Sequence, residues 1–105
     1  MITQEQPKCK DLISRYLAER IEEMKEILKA EDPIDALNNW ALGWDEKSGR
    51  LDLSYGGPQD YFTFTADGSA CYYSYLNWFD GACVELGGNY KETAQELWES
   101  CLHIE

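Results

Sequence analysis

An α+β fold, an antiparallel meander of four to five strands with helices packed on one face, is predicted by three features of this chain. Apolar residues recur at helical spacing near the beginning and near the end of the sequence. Between these ends lie short stretches of alternating apolar and polar residues, separated by glycine-containing turn signals. The length, 105 residues, suits one domain spanning 1–105 with residues 1–8 flexible, and four Trp, seven Tyr and three Phe can build its core without a staple.

The long N-terminal helix is the plainest element. From Asp11 to Leu28, the residues Leu12, Ile13, Tyr16, Leu17, Ile21, Met24, Ile27 and Leu28 recur at steps of three and four and form one apolar stripe. Charges of opposite sign fill the gaps three or four residues apart, as on a solvated face. In "EDPIDALNNW", Asp32 can cap a short second helix, Pro33 suits its first position and Asp35 favours the positive end of its dipole. That helix is expected to stop near Asn38 or Asn39. Trp40, Leu42 and Trp44 then alternate as in a strand, while a longer helix capped at Gly43 is the alternative, so residues 40–45 are open between strand and helix. At the far end, Asn89 and Glu92 have the spacing of a capping box, and Tyr90, Ala94, Leu97, Trp98, Cys101 and Leu102 make the stripe of a C-terminal helix.

The middle of the chain reads as hairpins. "DEKSGR" supplies a turn with a glycine suited to positive φ, leading into a strand that points Leu51, Leu53 and Tyr55 inward. Asp67-Gly68 and Asp80-Gly81 are two-residue hairpin signals. The first sets Phe64 opposite Cys71 and Phe62 opposite Tyr73, and the second sets Asn77 opposite Val84 and Tyr75 opposite Leu86. Both turns assign the apolar residues to one face and Tyr61, Tyr72, Trp78, Cys83 and Glu85 to the other. Cys71 and Cys83 consequently point to opposite sides and are not expected to form a disulfide.

"YGGPQDYF", residues 55–62, invites two readings. With Tyr55 and Phe62 both inward, an even number of residues must connect them when no bulge intervenes, which points to a six-residue loop from Gly56 to Tyr61. The plainer reading is a wide hairpin loop; the functional one is a recognition loop with Gln59, Asp60 and Tyr61 at its exposed tip. A phosphate cradle is rejected, because the Lys and Ser/Thr of the P-loop do not follow the glycines.

The charge is uneven. Residues 8–31 are balanced, with six basic and six acidic side chains, whereas residues 32–105 carry thirteen acids against Lys47, Arg50 and Lys91, and the whole chain is formally −11. Like charges about 10 Å apart in water repel by only about 0.4 kcal/mol before screening, so a fold tolerates the surplus. Binding to nucleic acid or to an anionic membrane would need a basic face and is argued against. There is no apolar run near the roughly 20 residues of a membrane span and no secretory signal, so a soluble, cytoplasmic protein is expected. The four cysteines form no C-x-x-C pair and His103 is the one histidine, which speaks against zinc, and no cofactor is expected. His103 stands next to the chain end, and two positions from Cys101 on a helix it does not face that thiol, so nucleophilic catalysis is not expected either. The aromatics Tyr61, Tyr72 and Trp78, with Leu76, have two readings: a strip covered by the chain termini or by helix packing on this second side, or an exposed platform, bordered by Asp52, Asp67 and Glu85, that takes a cationic partner.

The run "LDLSYGGPQDYFTFTADGSACYYSYLNWFDGA" resembles small acidic proteins of bacteriophages and mobile elements, in which a strand ending in Gly-Gly-Pro precedes aromatic strands and a Trp-Phe-Asp-Gly turn. That resemblance implies an anti-CRISPR or anti-restriction inhibitor, some of which imitate DNA charge. Joined to the residue reading, it gives the expectation of a binding protein, not an enzyme, that blocks a basic surface of a host nuclease or defence complex through Asp52, Gln59, Asp60, Tyr61, Asp67, Tyr72, Trp78 and Glu85. An immunity protein or antitoxin facing a basic toxin is one alternative, and a small enzyme or ligand-binding domain using the Gly56–Tyr61 loop is another.

Overall fold

The computed structural model of the protein describes residues 9–54, 58–77 and 80–102. Helix α1 (Cys9–Lys29) and the short α2 (Pro33–Trp40) precede five strands, β1 (Gly43–Asp45), β2 (Arg50–Ser54), β3 (Gln59–Phe64), β4 (Cys71–Asn77) and β5 (Asp80–Glu85). Helix α3 (Gly88–Leu97) follows and runs into a π-helical turn, Trp98–Leu102. The strands form one antiparallel sheet in the order β1-β2-β3-β4-β5, so the predicted α+β meander is the observed architecture.

The core follows from the two periodicities. Ile13, Leu17, Ile21, Met24 and Ile27 of α1, Leu37 of α2 and Ala94, Leu97, Cys101 and Leu102 at the C-terminal end pack on Leu51, Phe62, Phe64, Cys71, Tyr73, Tyr75 and Leu86 of the sheet. Every one of these sheet residues lies on the same side of the pleat, and Phe62 and Tyr73 stand directly opposite each other with ring centroids 4.8 Å apart. Tyr16 of α1 stacks on Tyr75 at 4.7 Å. Burying about eighteen apolar side chains between one helix layer and one sheet face is the dominant favourable term for a domain of this size.

Local chemistry explains several boundaries. Asp32 accepts the Asp35 N–H at 3.1 Å and Pro33 opens α2, as the sequence predicts. The helix continues through Trp40 and gives way to strand at Gly43, so residues 40–45 divide between helix and strand. The β1–β2 turn places Gly49 at φ +72°, where its N–H reaches the Asp45 carbonyl at 2.8 Å.

Four expectations are corrected. First, α3 begins with Gly87 as its cap and no side-chain cap, two residues before the predicted Asn89. Gly88 at φ +55° brings the chain into the helix early, which removes the capping box; Tyr90 is then 37% exposed and lies outside the buried stripe. Second, Asp67-Gly68 is not a two-residue loop. Thr65 and Ala70 close a four-residue connection, in which the Asp67 carboxylate holds the Ser69 N–H at 3.0 Å and the Thr65 hydroxyl at 2.9 Å.

Third, Asn77 pairs with Asp80 and Tyr75 with Ala82, so the β4–β5 turn lies across residues 78–79, outside the described residues, and Asp80-Gly81 belongs to β5. Gly81 serves packing instead of turning: a Cβ there would sit 2.6 Å from the Leu76 Cδ2 that covers it. The slip is by an even number, so Val84 and Leu86 keep the core side and Cys83 and Glu85 the other. Cys71 is buried and Cys83 exposed, both free thiols.

Fourth, the β2–β3 ladder contains a bulge. Asp52 pairs with Tyr61 but Ser54 pairs with Asp60, and the extra residue, Leu53, turns Ser54 toward the helix side. The six-residue loop thus does not exist as predicted. Gln59, Asp60 and Tyr61 are strand residues, while Tyr55, Gly56 and Gly57 lie outside the described residues.

Candidate interaction face

Among the described residues, the side of the sheet turned away from the helices contributes nothing to the core cluster. Register places its residues in two rows across four strands: Arg50, Thr63, Tyr72 and Glu85 form one, and Asp52, Tyr61, Ser74 and Cys83 form the next. Gln59 and Leu76, paired with each other, begin a third. Pleat alternation fixes this composition, because on each strand the residue of one row is two positions from the residue of the next row.

Arg50 organises one end of the face. Its Nε donates to the Asp52 carboxylate at 2.6 Å, and its guanidinium lies 3.8 Å from the centroid of the Tyr61 ring. Asp52 and Tyr61 are thereby joined in one charge-paired, aromatic patch. Tyr72 stands in the centre, directly between Thr63 and Glu85, and Glu85 is exposed at the β5 edge. Arg50 was missed in the sequence, although its position two residues before Asp52 places it on that face by parity.

Of the eight residues predicted to form the contact, Asp52, Gln59, Tyr61, Tyr72 and Glu85 share this face. Asp67 lies beyond it, in the β3–β4 turn, where hydrogen bonds from Ser69 and Thr65 hold its carboxyl down to about 2. Trp78 lies outside the described residues. Asp60 is on the opposite side and only 3% exposed, so its predicted position at an exposed loop tip is overturned.

Asp60 is instead the centre of a polar network beneath α1. Arg20 reaches it with Nε at 2.7 Å and Nη2 at 3.1 Å, Tyr73 donates its hydroxyl at 2.7 Å and Ser54 donates its own at 2.5 Å. Burial pushes the Asp60 carboxyl up, but these donors outweigh it and the carboxyl sits below the usual range. Burial opposes the charge on Arg20 as well, yet Asp60 and Glu23 hold it firmly protonated, and burial together with Asp60 pushes the Tyr73 phenol up. With both carboxylate oxygens doubly occupied, Asp60 has no lone pair to offer a substrate. The arrangement is an anchor of helix to sheet.

A cleft of about 430 Å³ opens at the β3–β4 turn end of the sheet, lined by Trp44, Lys47, Ser48, Phe64, Thr65 and Trp98 among others. It lies at the Phe64 end of β3, the end opposite Gln59. Among the described residues, no group of three or more His, Cys, Asp or Glu could hold a metal ion, and no helix is long and apolar enough to cross a membrane. Compared with protein-family models, curated proteins and solved structures, the chain matches nothing.

Proposed function

We propose that this is a non-enzymatic binding protein whose helix-free sheet face docks on a basic protein surface, as an inhibitor would occupy the nucleic-acid-binding surface of a nuclease or defence complex. The observation that carries this reading is the concentration of Asp52, Gln59, Tyr61, Tyr72 and Glu85 on a face that no described helix covers. Flat aromatics supply short-range affinity at low entropic cost, while carboxylates steer the encounter with a basic partner. The rest of the surface adds to that field. Ion pairs among the described residues use Arg20, Lys25 and Arg50, while Glu85, Glu92, Glu96 and Glu99 are exposed on a chain of net charge −11.

The test is capture of a partner from a bacterial lysate at low and high salt, with the parent protein and with Tyr72→Ala and Glu85→Lys. A basic protein held at low salt, released at high salt and lost in both variants, whose unfolding midpoints stay near the parent's, supports the reading. Capture that ignores both salt and the two substitutions overturns it.

A further inference from the structure

We propose that the outer edge of β5 is a strand-docking site, taking up an extended, lysine- or arginine-bearing segment of the partner as a sixth strand beside Gly81, Cys83 and Glu85. The proposal rests on the binding-protein reading and adds the mode of attachment.

Strand β5 ends the sheet, and one backbone hydrogen bond settles which of its amides face outward. Leu86 donates its N–H to the Cys71 carbonyl at 2.9 Å, continuing the register that pairs Tyr73 with Val84 and Tyr75 with Ala82. Bonding alternates along an antiparallel ladder, so residues 86, 84 and 82 turn their amides toward β4 and Gly81, Cys83 and Glu85 turn theirs away from the sheet. Asp80 Oδ1 accepts the outward N–H of Gly81 at 3.0 Å. Among the described residues nothing pairs with the amides of Cys83 and Glu85, which stay on the edge, and both residues are exposed. The opposite edge, β1, spans only three residues.

Edges of this kind are usually blunted by lysine, proline or a covering element. Here the strand Asp80–Glu85 carries acids as its charged residues and no proline. Its charge favours one class of occupant. A second copy of the chain would bring another −11 and a strand bearing the same acids, whereas a basic segment brings the complementary sign. Main-chain hydrogen bonds to Cys83 and Glu85 would supply affinity, and basic side chains beside Glu85 would supply selection.

The test uses the full chain labelled with ¹⁵N and three capped peptides about as long as β5: one alternating lysine and valine, one alternating glutamate and valine, and one with the charge of the first but proline at alternate positions. Amide hydrogen exchange is read residue by residue. In the free protein the Val84 amide is expected to exchange slowly and those of Cys83 and Glu85 quickly. Binding of the lysine-valine peptide is expected to slow Cys83 and Glu85 by at least about tenfold, with the other two peptides inert. Cys83→Pro, which removes an outward N–H and leaves the β4 ladder intact, should abolish that binding, while Tyr72→Ala should retain it. Protection confined to the Tyr61 and Tyr72 face overturns edge docking and leaves the proposed function standing. Equal binding of the proline peptide overturns it too, as does concentration-dependent protection of Cys83 in the protein alone, the sign that a second copy occupies the edge.

Discussion

Arg20 on α1 grips Asp60 on β3 through two parallel hydrogen bonds, 2.7 and 3.1 Å long, between residues forty positions apart in sequence. This is the geometry in which a guanidinium and a carboxylate interact most strongly. The pair ties the long helix to the centre of the sheet at a point where the aromatic stack of Tyr16 on Tyr75 also joins them.

Removing one partner should cost far more than removing both. Asp60→Leu leaves Arg20 without its main counter-charge and Tyr73 without its acceptor, and a loss of about 3 kcal/mol is expected, toward the lower end for a broken buried pair because Arg20 is partly exposed. The double variant Arg20→Met, Asp60→Leu should be more stable than Asp60→Leu alone. Urea denaturation measures both. If the double variant is the less stable of the two, the pair is not the anchor described here.

Acid should weaken the protein through its depressed carboxyls. A carboxyl whose folded value lies below its unfolded value, about 3.9 for aspartate, contributes stability that is complete above about pH 4 and is lost as pH falls through the folded value. For Asp67 that window runs from about pH 4 down to about 2. Side-chain ¹³C titration should place the Asp67 midpoint near 2, with Asp60 also below the ordinary range. An Asp67 midpoint at the unfolded value would mean that the Ser69 and Thr65 bonds do not persist in solution.

Gly49→Ala should be among the most damaging small substitutions. The residue sits at φ +72° and a Cβ would lie 2.1 Å from the Phe64 carbonyl oxygen, a backbone atom that cannot swing aside. Strain at positive φ alone amounts to roughly 1–3 kcal/mol. A fall of roughly 10–20 °C in the unfolding midpoint is expected by calorimetry, and a midpoint within about 2 °C of the parent's would contradict the observed turn.

Thiol labelling should discriminate the cysteines by burial. Cys83 is exposed, whereas burial pushes both the Cys71 and Cys101 thiols up and keeps reagent away. Brief treatment of the native protein with iodoacetamide, followed by peptide mapping, should mark Cys83 and spare Cys71 and Cys101 until denaturant is added. Early modification of Cys71 would contradict the assignment of faces.

Much of the candidate face was legible because strand parity is a local property. Asp52, Tyr61, Tyr72 and Glu85 fall on one side whether the β4–β5 turn lies at residues 78–79 or at 80–81, since the two choices differ by an even shift. The error at Asp60 had a different source. A single bulge at Leu53 brings Ser54 to the helix side, beside a carboxylate that already has Arg20 and Tyr73 as donors. Neither the bulge nor a partner forty residues upstream leaves a trace in the local pattern, and an Asp beside a Gly-Gly-Pro looks like an ordinary loop residue.

The amino-acid order by itself determined the three helices, the alternating strands and the sign of the surface charge, because periodicity, proline placement and composition act over a few residues. Tertiary structure alone decided where β4 turns into β5, which acid is buried and which strand edge stays open. Those outcomes depend on Leu76 closing over Gly81, on Arg20 arriving from another layer and on the sheet ending at β5, contacts that exist only once distant segments have packed.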